Sequence, residues 1–174
     1  MNFKKLQEMQ RALDDAILKE KPEMTAEERF KKTCVALSVE IAKLADTAEL
    51  FKFWKENKGK VDSEMFITTI VEEASDCLHF ILSLANQLEI ELNNPFIRIS
   101  GISKELFYMR VKHSITSCFY NYFRKDFGFC QTNLETVTFY FMNYIDSLGI
   151  DTQELEQAYY DKNEINYQRL EQGY

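Results

Sequence analysis

Apolar residues recur every three or four positions along most of the chain, which is the period of one face of an α-helix. In the N-terminal segment the pattern comprises Phe3, Leu6, Met9, Leu13, Ile17 and Leu18. It predicts a helix over residues 2–20. The same spacing predicts further helices over residues 25–53, 63–88, 103–128 and 133–148, and a sixth from residue 151 towards the C-terminus. No segment carries a convincing strand pattern.

Capping residues mark several of the predicted helix limits. Helix starts are favoured by a side chain that accepts a backbone N–H, and helix ends by glycine. The signals are capping boxes at Thr25 to Glu28 and Asp151 to Glu154, an N-cap at Ser103, and terminal glycines at Gly128 and Gly149. Residues 55–60 and 91–101 predict connections. The sequence therefore predicts an all-α bundle of five to six helices, in a single domain over residues 1–174.

The composition agrees with long helices around a sizeable core. Hydrophobic residues make up 45% of the 174 residues, whereas only five Gly and two Pro are present, too few for a many-turned β-sandwich or barrel. The net charge of −7 argues against DNA or RNA as the main partner. It does not argue against a single nucleotide, since a metal ion can lie between carboxylates and phosphates.

Cysteine usage and hydropathy indicate the compartment. The four cysteines form no CxxC pair and lie in apolar helical segments, which favours reduced core residues of a cytoplasmic protein. The N-terminus lacks the apolar stretch of a signal peptide, and no run approaches the ~18 apolar residues of a membrane span. We therefore expect a soluble protein that has no membrane partner.

Three carboxylates are the first candidates for chemistry. Glu73 and Asp76 are three residues apart, so they lie on one side of a helix, and Glu40 lies beside the apolar stripe of the preceding helix. Carboxylates beside a core are costly to desolvate unless they are paired or bind a cation. If the two helices are antiparallel, Glu40, Glu73 and Asp76 meet, and such a cluster suits Mg²⁺. The alternative is three acidic residues that simply face solvent.

Two other segments carry candidate binding residues. Trp54, the only tryptophan, lies between Lys52 and Lys55 and is either a packing residue or part of a base pocket. Near the C-terminus Lys162, Asn166 and Arg169 share one helix face, which is either a solvated face or a phosphate clamp. In the second case Asn163 or Asn166 can bind a base or sugar.

Three segments together resemble the dimeric, all-α dUTPase family, which is related to the MazG-like nucleoside triphosphate pyrophosphohydrolases. They are VEIAKLAD followed by FKFW, then EEASDCLHFILSL, then AYYDKNEINYQRLEQGY. The first helix, with LQEMQRALD, resembles the family too. The resemblance implies a MazG-like core, a homodimer, and Mg²⁺-dependent hydrolysis of dUTP to dUMP and pyrophosphate. In that reaction a metal-activated water attacks the α-phosphorus.

The resemblance also implies roles for individual residues. Glu40, Glu73 and Asp76 fall on the family's metal-binding acidic positions and are the expected catalytic residues. The remaining matches imply substrate binding, by Gln10 and Asp14 near the nucleotide, Trp54 and His79 at the uracil and deoxyribose, and Lys162, Asn163, Asn166 and Arg169 at the base and phosphates.

One position departs from the family pattern. The family has ExxE where this chain has Glu40-Ile-Ala-Lys43, so a cation replaces a carboxylate. Asp46 is a possible substitute oxygen donor. The sequence therefore leaves three functions open: a dUTP pyrophosphatase, a weakly active or inactive nucleotide-binding or protein-interacting relative, and a MazG-like enzyme for another nucleotide such as dCTP.

Overall fold

The computed structural model describes residues 1–20, 22–56, 64–93 and 97–173, and every regular element within these ranges is an α-helix. The side chains of residues 64–68 and parts of the two predicted connections, residues 57–60 and 94–96, lie outside the description. The helices are α1 (Phe3–Lys19), α2 (Ala26–Thr47), α3 (Glu64–Gln87), α4 (Lys104–Phe123), α5 (Phe127–Ser147) and α6 (Thr152–Glu171). The all-α prediction is confirmed. None of these helices is both long and apolar enough to cross a membrane.

The predicted N-caps are formed. Thr25 Oγ1 accepts the backbone N–H of Glu28 at 3.2 Å, and the Glu28 carboxylate accepts the backbone N–H of Thr25 at 3.1 Å. Asp151 and Glu154 make the same reciprocal pair at the start of α6, and Ser103 caps α4. These contacts satisfy backbone donors that have no partner within the helix.

The second helix is shorter than the sequence predicts, because it ends at Thr47 and not near residue 53. Glu49 takes a left-handed backbone conformation with φ of 51°, and the N–H of Leu50 bonds to the carbonyl of Ala45 at 3.2 Å. The Glu49 carboxylate accepts hydrogen bonds from Lys52 at 2.6 Å and from Lys55 at 2.7 Å. This pairing holds a turn in a segment whose pattern predicted helix.

The boundary between α4 and α5 is also corrected. The sequence placed a helix end at Gly128 and the next start near residue 133, but α4 ends at Phe123 and Gly128 lies inside α5. Lys125 makes the left-handed turn with φ of 58°, and Asp126 caps α5 by accepting the N–H of Phe129 at 3.3 Å. Lys125 and Asp126 therefore form the helix boundary that the sequence had predicted at Gly128.

The third helix is the centre of the bundle, because α1, α2, α5 and α6 all pack against it. Its apolar side is fully covered, and Ala74, Cys77, Leu78 and Ile81 have no exposed surface. Gln87 near its C-terminal end donates to Thr33 near the start of α2 at 3.0 Å, whereas its first half lies beside Glu40 farther along α2. The two helices are therefore antiparallel.

The glycine correction gives a matched test. A Cβ at Gly128 would meet no atom within 4 Å and the residue is helical, so Gly128→Ala should raise the free energy of unfolding by about 0.5–1 kcal/mol. Gly149 has φ of 84°, so Gly149→Ala should lower it by about 1 kcal/mol. Urea denaturation measures both. Destabilisation by Gly128→Ala would mean that Gly128 ends a helix after all.

Candidate active site

Three carboxylates meet where α2 and α3 cross the bundle. Each of Glu40, Glu73 and Asp76 places one oxygen within 4.8 Å of an oxygen of the other two. Asp46 is not part of this group. The antiparallel arrangement of α2 and α3 brings Glu40 to the level of Glu73 and Asp76, as the sequence analysis expected from their spacing.

Two lysines offset the negative charge of this carboxylate cluster. Lys43 Nζ lies 2.9 Å from Glu40 Oε1, and Lys162 Nζ, from α6, lies 2.9 Å from Asp76. The hydrogen bond to Glu40, followed by the charges of Glu40, Glu73 and Asp76, raises the pKa of Lys43 above its usual 10.5. Lys43 is thus a permanent cation beside the three carboxylates.

The cluster keeps unsatisfied acceptors despite these lysines. Glu40 Oε2 and Glu73 Oε2 are buried and have no hydrogen-bond partner among the described residues. Burial, with help from the charges of Glu40 and Asp76, raises the pKa of Glu73 above its usual 4.5, and Lys43 and Lys162 oppose that rise. Buried carboxylate oxygens without donors are costly. They are well suited to a hard cation, which prefers oxygen ligands.

A pocket of about 510 Å³ opens beside the cluster, between α1, α2, α3 and α6. Its apolar wall includes Leu13, Ile17 and Phe80, and Glu40, Lys43 and Asp76 lie at its polar end. A cavity of this volume is within the range of small-molecule sites, and a few convergent polar groups on apolar walls are typical of them. The arrangement can hold a flat apolar ring at one end and charged groups at the other.

Gln10 and Asp14 of α1 belong to a buried hydrogen-bond network at the pocket. Gln10 Nε2 donates to Asp14 Oδ1 at 2.8 Å, and Gln10 Oε1 lies 2.7 Å from Nδ1 of His79. Asp14 Oδ2 accepts from Arg29 at 2.9 Å and from Ser83 at 2.7 Å. The network joins α1, α2 and α3 through one carboxylate.

The imidazole of His79 is buried and neutral. Burial, reinforced by the nearby cation of Lys162, lowers the pKa of His79 from 6.5 to about 3, and an interaction with the backbone of Tyr159 opposes this more weakly. The ring stacks on that of Tyr159, with centroids 4.1 Å apart. Nε2 of His79 has no hydrogen-bond partner among the described residues, although the side chain is only 5% exposed.

The C-terminal stripe reaches the pocket in part. Lys162, Asn166 and Arg169 line it together with Leu170. Asn163 points elsewhere: it is buried, is not among the pocket-lining residues, and its Nδ2 has no hydrogen-bond partner among the described residues. Within one chain, three of the four polar residues expected in the C-terminal motif therefore face the candidate site.

The structure places Trp54 away from the pocket of its own chain. Its side chain is 63% exposed and packs edge-on against Phe51 and Phe53. The cause is the turn at Glu49, which directs residues 50–56 away from the line of α2. The sequence had led us to expect Trp54 at the base pocket. In the structure Trp54 does not line the pocket of its own chain. Asp46 is exposed and lines a neighbouring surface groove, beside Val39 and Lys112.

Sequence reasoning missed two residues that hold the site together. Arg29 and Ser83 both line the pocket and both anchor Asp14. Ser83 follows Asp76 and His79 at helical spacing, so a polar stripe on a buried helix was the available signal. Arg29 gave no comparable signal, because it reaches Asp14 only through the tertiary arrangement, in which α1 and α2 both pack against α3.

Comparison with known protein families gives a match over nearly the whole chain. A family model described as dUTPase matches residues 2–174. No curated protein was found that matches the chain.

The buried histidine predicts acid sensitivity. The pKa of His79 is about 3 in the folded state and about 6.5 in the unfolded state. Below pH 6.5 the unfolded state therefore binds a proton that the folded state does not, and the free energy of unfolding falls as the pH falls. Its share of the loss between pH 8 and pH 5 should be about 2 kcal/mol. Urea denaturation of His79→Phe should show a pH dependence flatter by that amount, and the exposed-site control His113→Phe should not. Equal pH dependence in all three proteins would contradict the assignment.

Proposed function

The chain belongs to the all-α dUTPase family and is a dUTP diphosphatase, and we propose that its activity depends on Mg²⁺ bound by Glu40, Glu73 and Asp76. The observation that carries the proposal is the meeting of three carboxylate oxygens within 4.8 Å, where two of the three residues, Glu40 and Asp76, also line a nucleoside-sized pocket. The products are dUMP and pyrophosphate. The reaction cleaves the bond between the α- and β-phosphates, with water adding at the α-phosphorus.

The residues present fit a hard divalent ion. All candidate ligands are carboxylate oxygens, and Glu40 and Glu73 each have one buried oxygen, Oε2, that accepts no hydrogen bond from the described residues. When bound there, Mg²⁺ would lower the pKa of a coordinated water and offset phosphate charge. Glu40, Glu73 and Asp76 are the residues that would hold it.

The remaining polar residues are placed to bind and orient the nucleotide. Lys162 and Arg169 of α6 both line the pocket, and Lys162 lies at its polar end beside Asp76, so that their charges can attract the phosphate chain. The apolar wall formed by Leu13 and Phe80 excludes water from the base and sugar. His79 and Gln10 supply the polar atoms beside that wall.

Lys43 adds a fixed positive charge to this site. It lines the pocket and holds Glu40 at 2.9 Å, so it occupies one of the oxygens that could otherwise bind a metal ion. A lysine there removes one ligand and repels a divalent cation. At ~4 Å and an effective dielectric near 20, the repulsion energy is about 4 kcal/mol per unit charge. We propose that this chain binds Mg²⁺ less tightly than a carboxylate at position 43 would allow.

A homodimer is the proposed assembly. The family resemblance implies it, and α4 together with the adjacent face of α2 exposes large apolar side chains. Examples are Met109, 59% exposed, and Val35, 58% exposed. We also propose a cytoplasmic location, which the four free cysteines support, since thiols remain reduced there.

The activity is tested by pyrophosphate release from dUTP, dCTP, dTTP and UTP, with Mg²⁺ present and after chelation. We expect release from dUTP only, and only with the metal. Glu73→Gln should lower kcat by about 100-fold, the scale of losing one charged group from a catalytic site. The matched control is Glu72→Gln, an exposed neighbour on the same helix. Activity that survives chelation would refute the metal dependence.

The role of Lys43 is tested by Lys43→Glu. The substitution adds an oxygen donor and removes a cation, so Mg²⁺ affinity should rise by about 10-fold or more, and activity at low metal should rise with it. Isothermal titration with Mg²⁺ measures the affinity directly. Lys31→Glu reverses a charge on the same helix and should leave it unchanged. Lower activity at every metal concentration would instead mean that Lys43 binds the phosphates.

The assembly is tested by light scattering at micromolar concentration. We expect the mass of a dimer, and Met109→Glu should shift it towards the monomer because a charge at an apolar interface is costly. Ile97→Glu places the same charge at another exposed position, outside α4. A wild-type monomer would contradict the proposal.

A further inference from the structure

The hydrogen-bond network around Asp14 has a fixed direction. A carboxylate can only accept, and Asp14 accepts at both oxygens, from Arg29 and Ser83 at Oδ2 and from Gln10 at Oδ1. The amide group of Gln10 that faces Asp14 must therefore be its NH₂. It follows that the amide oxygen of Gln10 faces the opposite way, towards His79.

The orientation of Gln10 sets the tautomer of His79. Gln10 Oε1 is an acceptor 2.7 Å from Nδ1 of His79, so Nδ1 must carry the proton. The hydroxyl of Tyr159 lies 3.1 Å from the same oxygen and can donate to it as well. Since the imidazole is neutral, Nε2 has no proton and presents a lone pair.

This lone pair belongs to a pocket-lining residue, and Nε2 has no hydrogen-bond partner among the described residues. The side chain of His79 is 5% exposed. A buried acceptor without a donor is costly, and ligand binding can supply the missing partner. We propose that Asp14 is a positioning residue that, through Gln10, makes Nε2 of His79 an obligatory acceptor for a hydrogen-bond donor of the bound nucleoside.

The proposal rests on the proposed function for the identity of the ligand. A deoxyuridine nucleotide offers two neutral donors, the N3–H of uracil and the 3′-hydroxyl of the sugar. Cytosine has no hydrogen on N3, so an acceptor at Nε2 that bonds to the base would select uracil against cytosine. An acceptor that bonds to the 3′-hydroxyl would select deoxynucleotides against dideoxynucleotides.

Substitution of Asp14 by asparagine inverts the network with little change in shape. Arg29 and Ser83 both donate at the Oδ2 position, so they hold the asparagine oxygen there and turn its NH₂ towards Gln10. Gln10 must then rotate to present its oxygen to residue 14 and its NH₂ to Nδ1 of His79. The proton of His79 moves to Nε2, which becomes a donor.

The tautomer is measured in the free protein by long-range ¹H–¹⁵N correlation of the imidazole rings. The chain has two histidines, and the exposed His113 on α4 is assigned with His113→Gln. We expect the proton of His79 on Nδ1 in the wild type and on Nε2 in Asp14→Asn. Asp15→Asn makes the same substitution one residue away, at an exposed position, and should leave the proton on Nδ1. A wild-type proton on Nε2 overturns the proposal, whether or not the protein hydrolyses dUTP and whether or not the variant folds.

The donor is identified by calorimetric binding of four nucleotides in the presence of Mg²⁺: dUMP, dCMP, 3-methyl-dUMP and 2′,3′-dideoxy-UMP. Wild type should bind dUMP about 10-fold more tightly than the analogue that lacks the recognised donor. A penalty for the 3-methyl compound and dCMP identifies the base, and a penalty for the dideoxy compound identifies the sugar. Asp14→Asn should abolish that penalty. Equal binding of all four nucleotides, or the same penalty in Asp14→Asn, would refute the role of Nε2.

Discussion

The site depends on one constraint, which is that α3 buries a polar stripe in the centre of a helical bundle. Glu73, Asp76, His79 and Ser83 follow one another at helical spacing on a helix that packs against four others. Buried polar groups must be paired, or the fold bears the full cost of their desolvation. Each neighbouring helix that faces the stripe therefore contributes a partner. The candidate site consists of these pairings and of the few polar atoms that remain unpaired.

At one end of the stripe the polar groups form ion pairs, and at the other end most of the polar groups are uncharged. At the Glu73 end, three carboxylates face Lys43 and Lys162, and two buried oxygens have no donor in the described part of the chain. At the His79 end the network is built from one amide, two hydroxyls and one Asp–Arg pair, and the buried imidazole is uncharged. A dUTP molecule has the same polarity, because its phosphates are charged and its base and sugar are not. The gradient along α3 therefore matches the polarity of the substrate in the binding mode that we propose.

Much of the fold could be read from the sequence, because its signals are local. The capping boxes at Thr25 and Asp151 were correct, since a cap depends on residues three positions apart. The predicted helix boundaries were wrong where the backbone of a residue other than glycine adopts the left-handed conformation. Glu49 ends the run of α2 and Lys125 separates α4 from α5, each held by hydrogen bonds that no composition rule anticipates. The turn at Glu49 also directs Trp54, which the family resemblance assigns to the base, away from the pocket of its own chain.

The sequence by itself determined which residues carry charge at helical spacing, and therefore that Glu73 and Asp76 share a face and that Lys162 and Arg169 form a stripe. The dUTPase family was recognisable from these local patterns. Only the tertiary structure decided that Arg29 and Ser83 anchor Asp14 and that the network runs from Asp14 through Gln10 to His79. Most of these pairings join different helices, and all of them depend on which atoms are brought within about 3 Å of one another. Residue spacing along one helix carries no information about that.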